Sequence, residues 1–167
     1  AYRRLLTPPA QSFFLFGMRG VGKSTWAAQR FPDAHRVDLL NEALFQSYLA
    51  DIGLLARELS AVPPGRWVVL DEIQRMPALL NEVHRFIEDR RLQFVLLGSS
   101  VRKLKQSGTN LLAGRALRRV MLPLVPEELG ADFDPEAFEH RAFYAAGAGR
   151  IEMHLVARAA QPAAAAR

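Results

Sequence analysis

An α/β fold built on a central parallel sheet is predicted by three features of this 167-residue chain. Short segments such as "FFLF" at 13–16, "WVVL" at 67–70 and "FVLLG" at 94–98 are apolar without alternation. That is the pattern of strands buried on both faces. Stretches with helical spacing separate them, as crossovers between parallel strands require. The residues with chemical potential directly follow the strands, where such sheets place their sites.

The elements follow in order. Phe13–Phe16 is the first strand, and Thr25 to Arg30 a helix stopped by Pro32. "HRVDLL" at 35–40 reads as a second strand. Leu44, Tyr48, Ile52, Leu55 and Leu59 recur at helical spacing and predict one helix, ended by Pro63, Pro64 and Gly65. "RWVVLDE" at 66–72 is a buried strand closed by two acids. Pro77 suits a first helical turn, and Leu79, Leu80, Val83, Phe86 and Ile87 share one arc of a helix running to about Arg90. "QFVLLGSS" at 93–100 and "ALRRVMLPL" at 116–124 read as the last strands. No internal repeat is visible. The expected organisation is one domain over 1–134 and a divergent, Ala/Arg-rich, low-complexity tail over 135–167.

Half of the residues are hydrophobic and 23% are charged, which fits a globular domain and excludes wholesale disorder. There is no cysteine, hence no disulfide framework and no thiolate metal site. No run of residues is long and apolar enough to span a bilayer, and "AYRRLLTPPAQ" lacks the apolar core of a signal peptide. A cytoplasmic protein without a membrane partner is expected. The net charge of +5 and pI near 10.2 raise the question of DNA or another polyanion. Arginines are scattered, however, clustering only at 90–91, in "VRKLK" at 101–105 and in "RALRR" at 115–119, so a solvated surface is the plainer reading.

Gly17-Met18-Arg19-Gly20-Val21-Gly22-Lys23-Ser24 satisfies G-x-x-x-x-G-K-[ST] in full, after a strand and before a helix. Glycines let the backbone curl so that its N–H groups face phosphate oxygens, and the helix adds its positive dipole end. Gly17, Arg19, Gly20, Val21, Gly22, Lys23, Ser24 and Thr25 form the expected nucleotide-binding set, with Lys23 reaching the β- and γ-phosphates and the Ser24 hydroxyl binding Mg²⁺. Asp71 ends a neighbouring strand, as a second Mg²⁺ group must. Glu72, directly after it, suits a carboxylate that polarises a water for attack on the γ-phosphate. Ser99, ahead of Ser100, ends a further strand and is expected level with Asp71, able to touch the γ-phosphate or that water. Arg115 in "LLAGRALRR" is the candidate for stabilising charge on the transferring phosphate. His35, His84, His140 and His154 show no metal-ligand spacing, and Trp26 reads as packing more readily than as an adenine contact.

With these motifs in place the chain resembles a prokaryotic family of AAA-class P-loop ATPases that pair an N-terminal ATPase domain with a C-terminal domain of unknown function. "LFGMRGVGKSTW", "VVLDEIQRMPALLNEVHRFIEDR", "FVLLGSSVRKLKQSGTNLLAGRA" and "LPLVPEELG" carry the likeness, with "YRRLL" near the start; it covers about residues 2–130. The resemblance implies a three-layer α/β/α sandwich with an additional-strand ATPase core, the Ser99 strand lying between the P-loop strand and the Asp71 strand. It also implies ATP and Mg²⁺ as cofactors, hydrolysis to ADP and phosphate, Ser99 as a sensor, and Arg115 facing a phosphate in its own subunit or in a neighbouring one of a homo-oligomer. The family's C-terminal domain and a helical lid have no counterpart in the sequence, which predicts a truncated or frame-shifted continuation after about Asp134, or a partner that supplies the missing parts. A nucleotide- or nucleic-acid-binding module without turnover and a small-molecule kinase remain the alternatives.

Overall fold

The computed structural model describes residues 2–99, 104 and 112–134. The sheet lies in a compact unit, Leu6–Met121; of the described residues, 2–5 and 122–134 belong to a second. Five strands, β1 (Phe13–Phe16), β2 (His35–Asp38), β3 (Trp67–Asp71), β4 (Gln93–Gly98) and β5 (Leu117–Val120), make one sheet in the order β2-β3-β4-β1-β5. All pairs are parallel. The strand that leads to Ser99 therefore separates the other two site-bearing strands, as the resemblance implies.

Alternation of side chains through the pleat sends Phe14, Phe16, Val68, Leu70, Phe94 and Leu96 to one face and Phe13, Leu15, Val69, Val95 and Leu97 to the other. The second face is covered by α1 (Lys23–Arg30): Trp26, 2% exposed, meets Phe13 and Phe31 edge-on, and its indole N–H donates to the Leu6 carbonyl at 3.2 Å. Trp26 is thus core, as its aromatic character suggests. The first face is covered by α2 (Glu42–Ala50), α3 (Leu54–Ser60) and α4 (Leu79–Arg90), through Tyr48, Leu55, Leu59, Leu79, Val83 and Phe86. The result is a three-layer α/β/α sandwich.

One predicted element is corrected. The single helix expected between Leu44 and Leu59 is two, because the Asp51 carboxylate accepts the Gly53 N–H at 3.0 Å and the Asp51 carbonyl accepts the Leu54 N–H. A local Asx turn replaces the helical ladder there. Ile52 accordingly lies 52% exposed, although its spacing places it on the apolar arc. Pro77 falls before the Ala78 cap of α4 and not within its first turn.

In the second unit, α5 (Pro126–Leu129) follows a loop whose Val125 N–H donates to the Glu128 carboxylate at 3.3 Å. The same carboxylate pairs with Arg4 and accepts the Leu5 N–H at 2.7 Å, and Tyr2 donates to Asp132 at 2.8 Å. The "YRRLL" and "LPLVPEELG" segments are thereby tied together.

Candidate nucleotide site

Gly17 follows β1 immediately, and its N–H donates to the Gly98 carbonyl of β4 at 3.3 Å. A Cβ at Gly17 would stand 2.5 Å from the Met121 carbonyl oxygen, so only glycine lets the loop leave the strand here. Gly20 and Gly22 have φ of 85° and 89°, the left-handed region that costs an L side chain. Alternation of such residues with ordinary ones turns successive N–H groups to one side of the loop, an anion-binding concavity. Val21 packs against the α1-side core, while Arg19, Ser24 and Thr25 are exposed at the loop and the first turn of α1.

The Lys23 side chain is buried and turns back into the loop, donating to the carbonyls of Gly17 at 2.8 Å and Met18 at 3.0 Å. Burial pushes its pKa down, while the charges of Glu72 and Asp71 act against that shift. The ammonium thus already feels both strand-end acids. The neighbouring Ser24 hydroxyl favours the ionised form of Asp71. Its carboxyl is held above the usual range chiefly by burial, with Asp38 and Glu72 adding repulsion. Asp38, paired in register with Asp71 at the end of β2, is a neighbour that sequence reasoning missed; its signal was its strand-end position.

Glu72 adopts φ 56°, left-handed for a non-glycine residue, and starts a 3-10 turn over Ile73–Arg75. Its carboxylate accepts from Gln74, and the Ser99 hydroxyl lies 3.4 Å away. Because Leu70 faces Leu96, Asp71 comes level with Leu97 and Ser99 lies two residues beyond it. Ser99 is therefore not level with Asp71 but reaches Glu72 instead. Gln74, standing between them, is the second residue the sequence reading missed.

Arg115 is not brought to this cluster. It precedes β5, whose Leu117 is in register with Phe13, so it lies near the start of β1 while Gly17 follows its end. About six residues of strand separate the two levels, roughly 20 Å. Its guanidinium pairs with Glu88 near the end of α4, and this holds the Glu88 carboxyl below its ordinary range. Of the two placements left open for Arg115, this register disfavours the one at its own chain's phosphate loop. Ser100, most of "VRKLK", His140, His154 and the 135–167 tail lie outside the described residues.

Among the described residues no three His, Cys, Asp or Glu side chains gather as a metal cage. Mg²⁺ needs none at a phosphate site: it keeps waters and takes one or two protein oxygens besides the phosphates. The adjacent Ser24 hydroxyl and Asp71 carboxylate are such a pair. A dication there would also relieve the repulsion among Asp38, Asp71 and Glu72.

Against this geometry stand the likenesses to known proteins. The sequence matches the family of AAA domains over residues 10–130, well over half of its length. The chain belongs to the AAA-domain family. As such it is an ATP-binding module. A second match, to a family of histidine-specific, SAM-dependent methyltransferases, covers residues 114–167, a minority of the chain that overlaps the first match and takes in the tail. No curated protein matches. Among solved structures, the Aeropyrum pernix Orc1 protein in complex with DNA aligns with 84% of this chain and 50% of its own, at 17% identity and a TM-score of 0.48. This AAA domain thus spans half the length of that chain. Among the described residues no helix is long and apolar enough to cross a membrane.

Proposed function

We propose that this AAA domain hydrolyses ATP to ADP and phosphate with Mg²⁺, acting as the catalytic part of a larger assembly. The observation that carries the reading is the meeting of Lys23, Ser24, Asp71, Glu72 and Ser99 at the carboxyl ends of β1, β3 and β4. The loop N–H groups and Lys23 would bind the β- and γ-phosphates, Lys23 exchanging its carbonyl partners for phosphate oxygens. Ser24 and Asp71 would hold Mg²⁺, which neutralises charge on the phosphates. Glu72 would accept a hydrogen bond from a water and orient it in line with the γ-phosphate, and Ser99 would supply a hydroxyl to that phosphate or water. Catalysis in this scheme is positioning and electrostatics.

Arg115 would serve a different nucleotide from that of its own chain. Its distance from Gly17 is consistent with a homo-oligomer in which it stabilises charge at the neighbouring subunit's γ-phosphate. The decisive experiment measures phosphate release by the purified chain beside Glu72→Gln, without any acceptor, with and without DNA. Turnover that falls at least about 100-fold in Glu72→Gln supports the assignment, since general-base positioning contributes roughly 10²–10⁴. Tight ATP binding with no phosphate release from the wild type under any condition would point to a binding module. Transfer only to an added acceptor would point to a kinase.

A further inference from the structure

Gln74 is a side chain that the proposed chemistry leaves without a task. It sits in the 3-10 turn Ile73–Arg75, directly after Glu72. From one side Arg75 anchors that turn, donating to the Leu39 carbonyl and, at 2.8 Å, to Glu42, with its guanidinium 4.2 Å over the Phe45 ring. On the other side the Gln74 amide nitrogen donates both to the Glu72 carboxylate and, at 2.8 Å, to the Ser99 hydroxyl. The orientation of the carboxamide follows from chemistry: turned over, its oxygen would face the carboxylate oxygens of Glu72.

The other end of the same group is buried, and its oxygen finds no hydrogen-bond partner among the described residues. A Cβ on Gly98 would stand 2.8 Å from that oxygen, so the absence of a side chain at 98 gives the carboxamide its place between β3 and β4. An apolar side chain of similar size would fill the space without stranding a buried carbonyl. The two bonds made by the amide nitrogen are therefore what distinguish glutamine at this position.

We propose that Gln74 is a positioning residue for hydrolysis, tying the Glu72 carboxylate after β3 to the Ser99 hydroxyl after β4 so that the two hold one geometry. The proposal rests on the reading of Glu72 as the group that orients water. Gln74 itself touches neither phosphate nor water and acts through Glu72.

Two measurements test it. In the nucleotide-free, nitrogen-15-labelled chain, the Gln74 side-chain NH₂ resonances should lie away from the free-glutamine position and move on Ser99→Ala and on Glu72→Gln. In steady-state turnover, Gln74→Met and Gln74→Leu, neither of which carries a hydrogen-bond donor, should each lower kcat roughly 10- to 100-fold, within what base positioning contributes. KM for ATP should stay within about twofold, since the phosphate-binding groups are untouched. Neither substitution should reduce kcat further in the Glu72→Gln background. Resonances at the free position that neither variant moves, or wild-type kcat in Gln74→Met and Gln74→Leu, would overturn the proposal. Full turnover in Glu72→Gln would instead overturn the base assignment, an outcome distinct from loss of the bridge because the resonances report the bridge without nucleotide.

Discussion

Asp71 is a carboxylate that folding works against. Burial strips its water and the charges of Asp38 and Glu72 repel it, while the Ser24 hydroxyl, the Glu72 backbone N–H and the attraction of the Lys23 ammonium favour its ionised form less than burial opposes it. The net effect raises its pKa, so the folded chain takes up a proton before the unfolded chain does as pH falls. The ionised group therefore costs stability at neutral pH, and that cost disappears as acid protonates it in both states. Asp71→Asn should raise the Tm of the nucleotide-free chain at neutral pH. The gain should shrink toward acid pH and be accompanied by loss of the Mg²⁺-dependent part of ATP affinity. Calorimetry across that pH range, with titration of ATP in the presence and absence of Mg²⁺, checks both; a variant less stable than the wild type at neutral pH would contradict the repulsive account. Stability given up at the residue proposed to hold the metal is the exchange expected of a functional site.

At the level of elements, a part-buried polar contact joins α2, α3 and the start of β2. Tyr48 is fully buried, and its hydroxyl donates to Glu58 at 2.6 Å, a carboxylate that also lies 3.7 Å from His35. Burial and the Glu58 charge push the phenol's pKa up, so it remains a neutral donor. Tyr48→Phe keeps the ring and removes the bond, and should cost about 1.5 kcal/mol, read as a lower urea midpoint with an unchanged slope. This pair also marks the limit of what the sequence discloses. Strands β1, β3 and β4 were legible because double-sided burial leaves unbroken apolar runs, and the glycine loop at 17–22 because its left-handed turns answer local demands. The break at Asp51 was not, since Tyr48 and Leu55 are seven residues apart and stay in helical phase across it. Gln74 was not, because its bonds depend on the left-handed turn at Glu72 and on a glycine in another strand. Neither fact is local, and periodicity carries only local facts.

For the whole molecule the open arithmetic concerns Arg115. Nothing in "LLAGR" reveals at which end of the sheet the arginine stands; the register of β5 against β1 does, and it separates Arg115 from the phosphate loop by the height of the sheet. If the proposed oligomer forms, each nucleotide is held by one chain and completed by the arginine of the next. Lys23→Ala should then lose ATP binding by about 10- to 100-fold, the worth of a charge-assisted bond, yet still carry a competent arginine. Arg115→Ala should bind ATP normally and turn it over at least about 100-fold more slowly, given that such arginines contribute roughly 10³–10⁵. Mixed in equal amounts, the two should recover activity well above the average of either alone, because some interfaces join an intact loop to an intact arginine. The wild type's turnover per chain should rise with protein concentration for the same reason. Recovery in the mixture with no dependence on Arg115, or an Arg115→Ala chain as fast as the wild type at every concentration, would leave the arginine as the surface partner of Glu88 and nothing more.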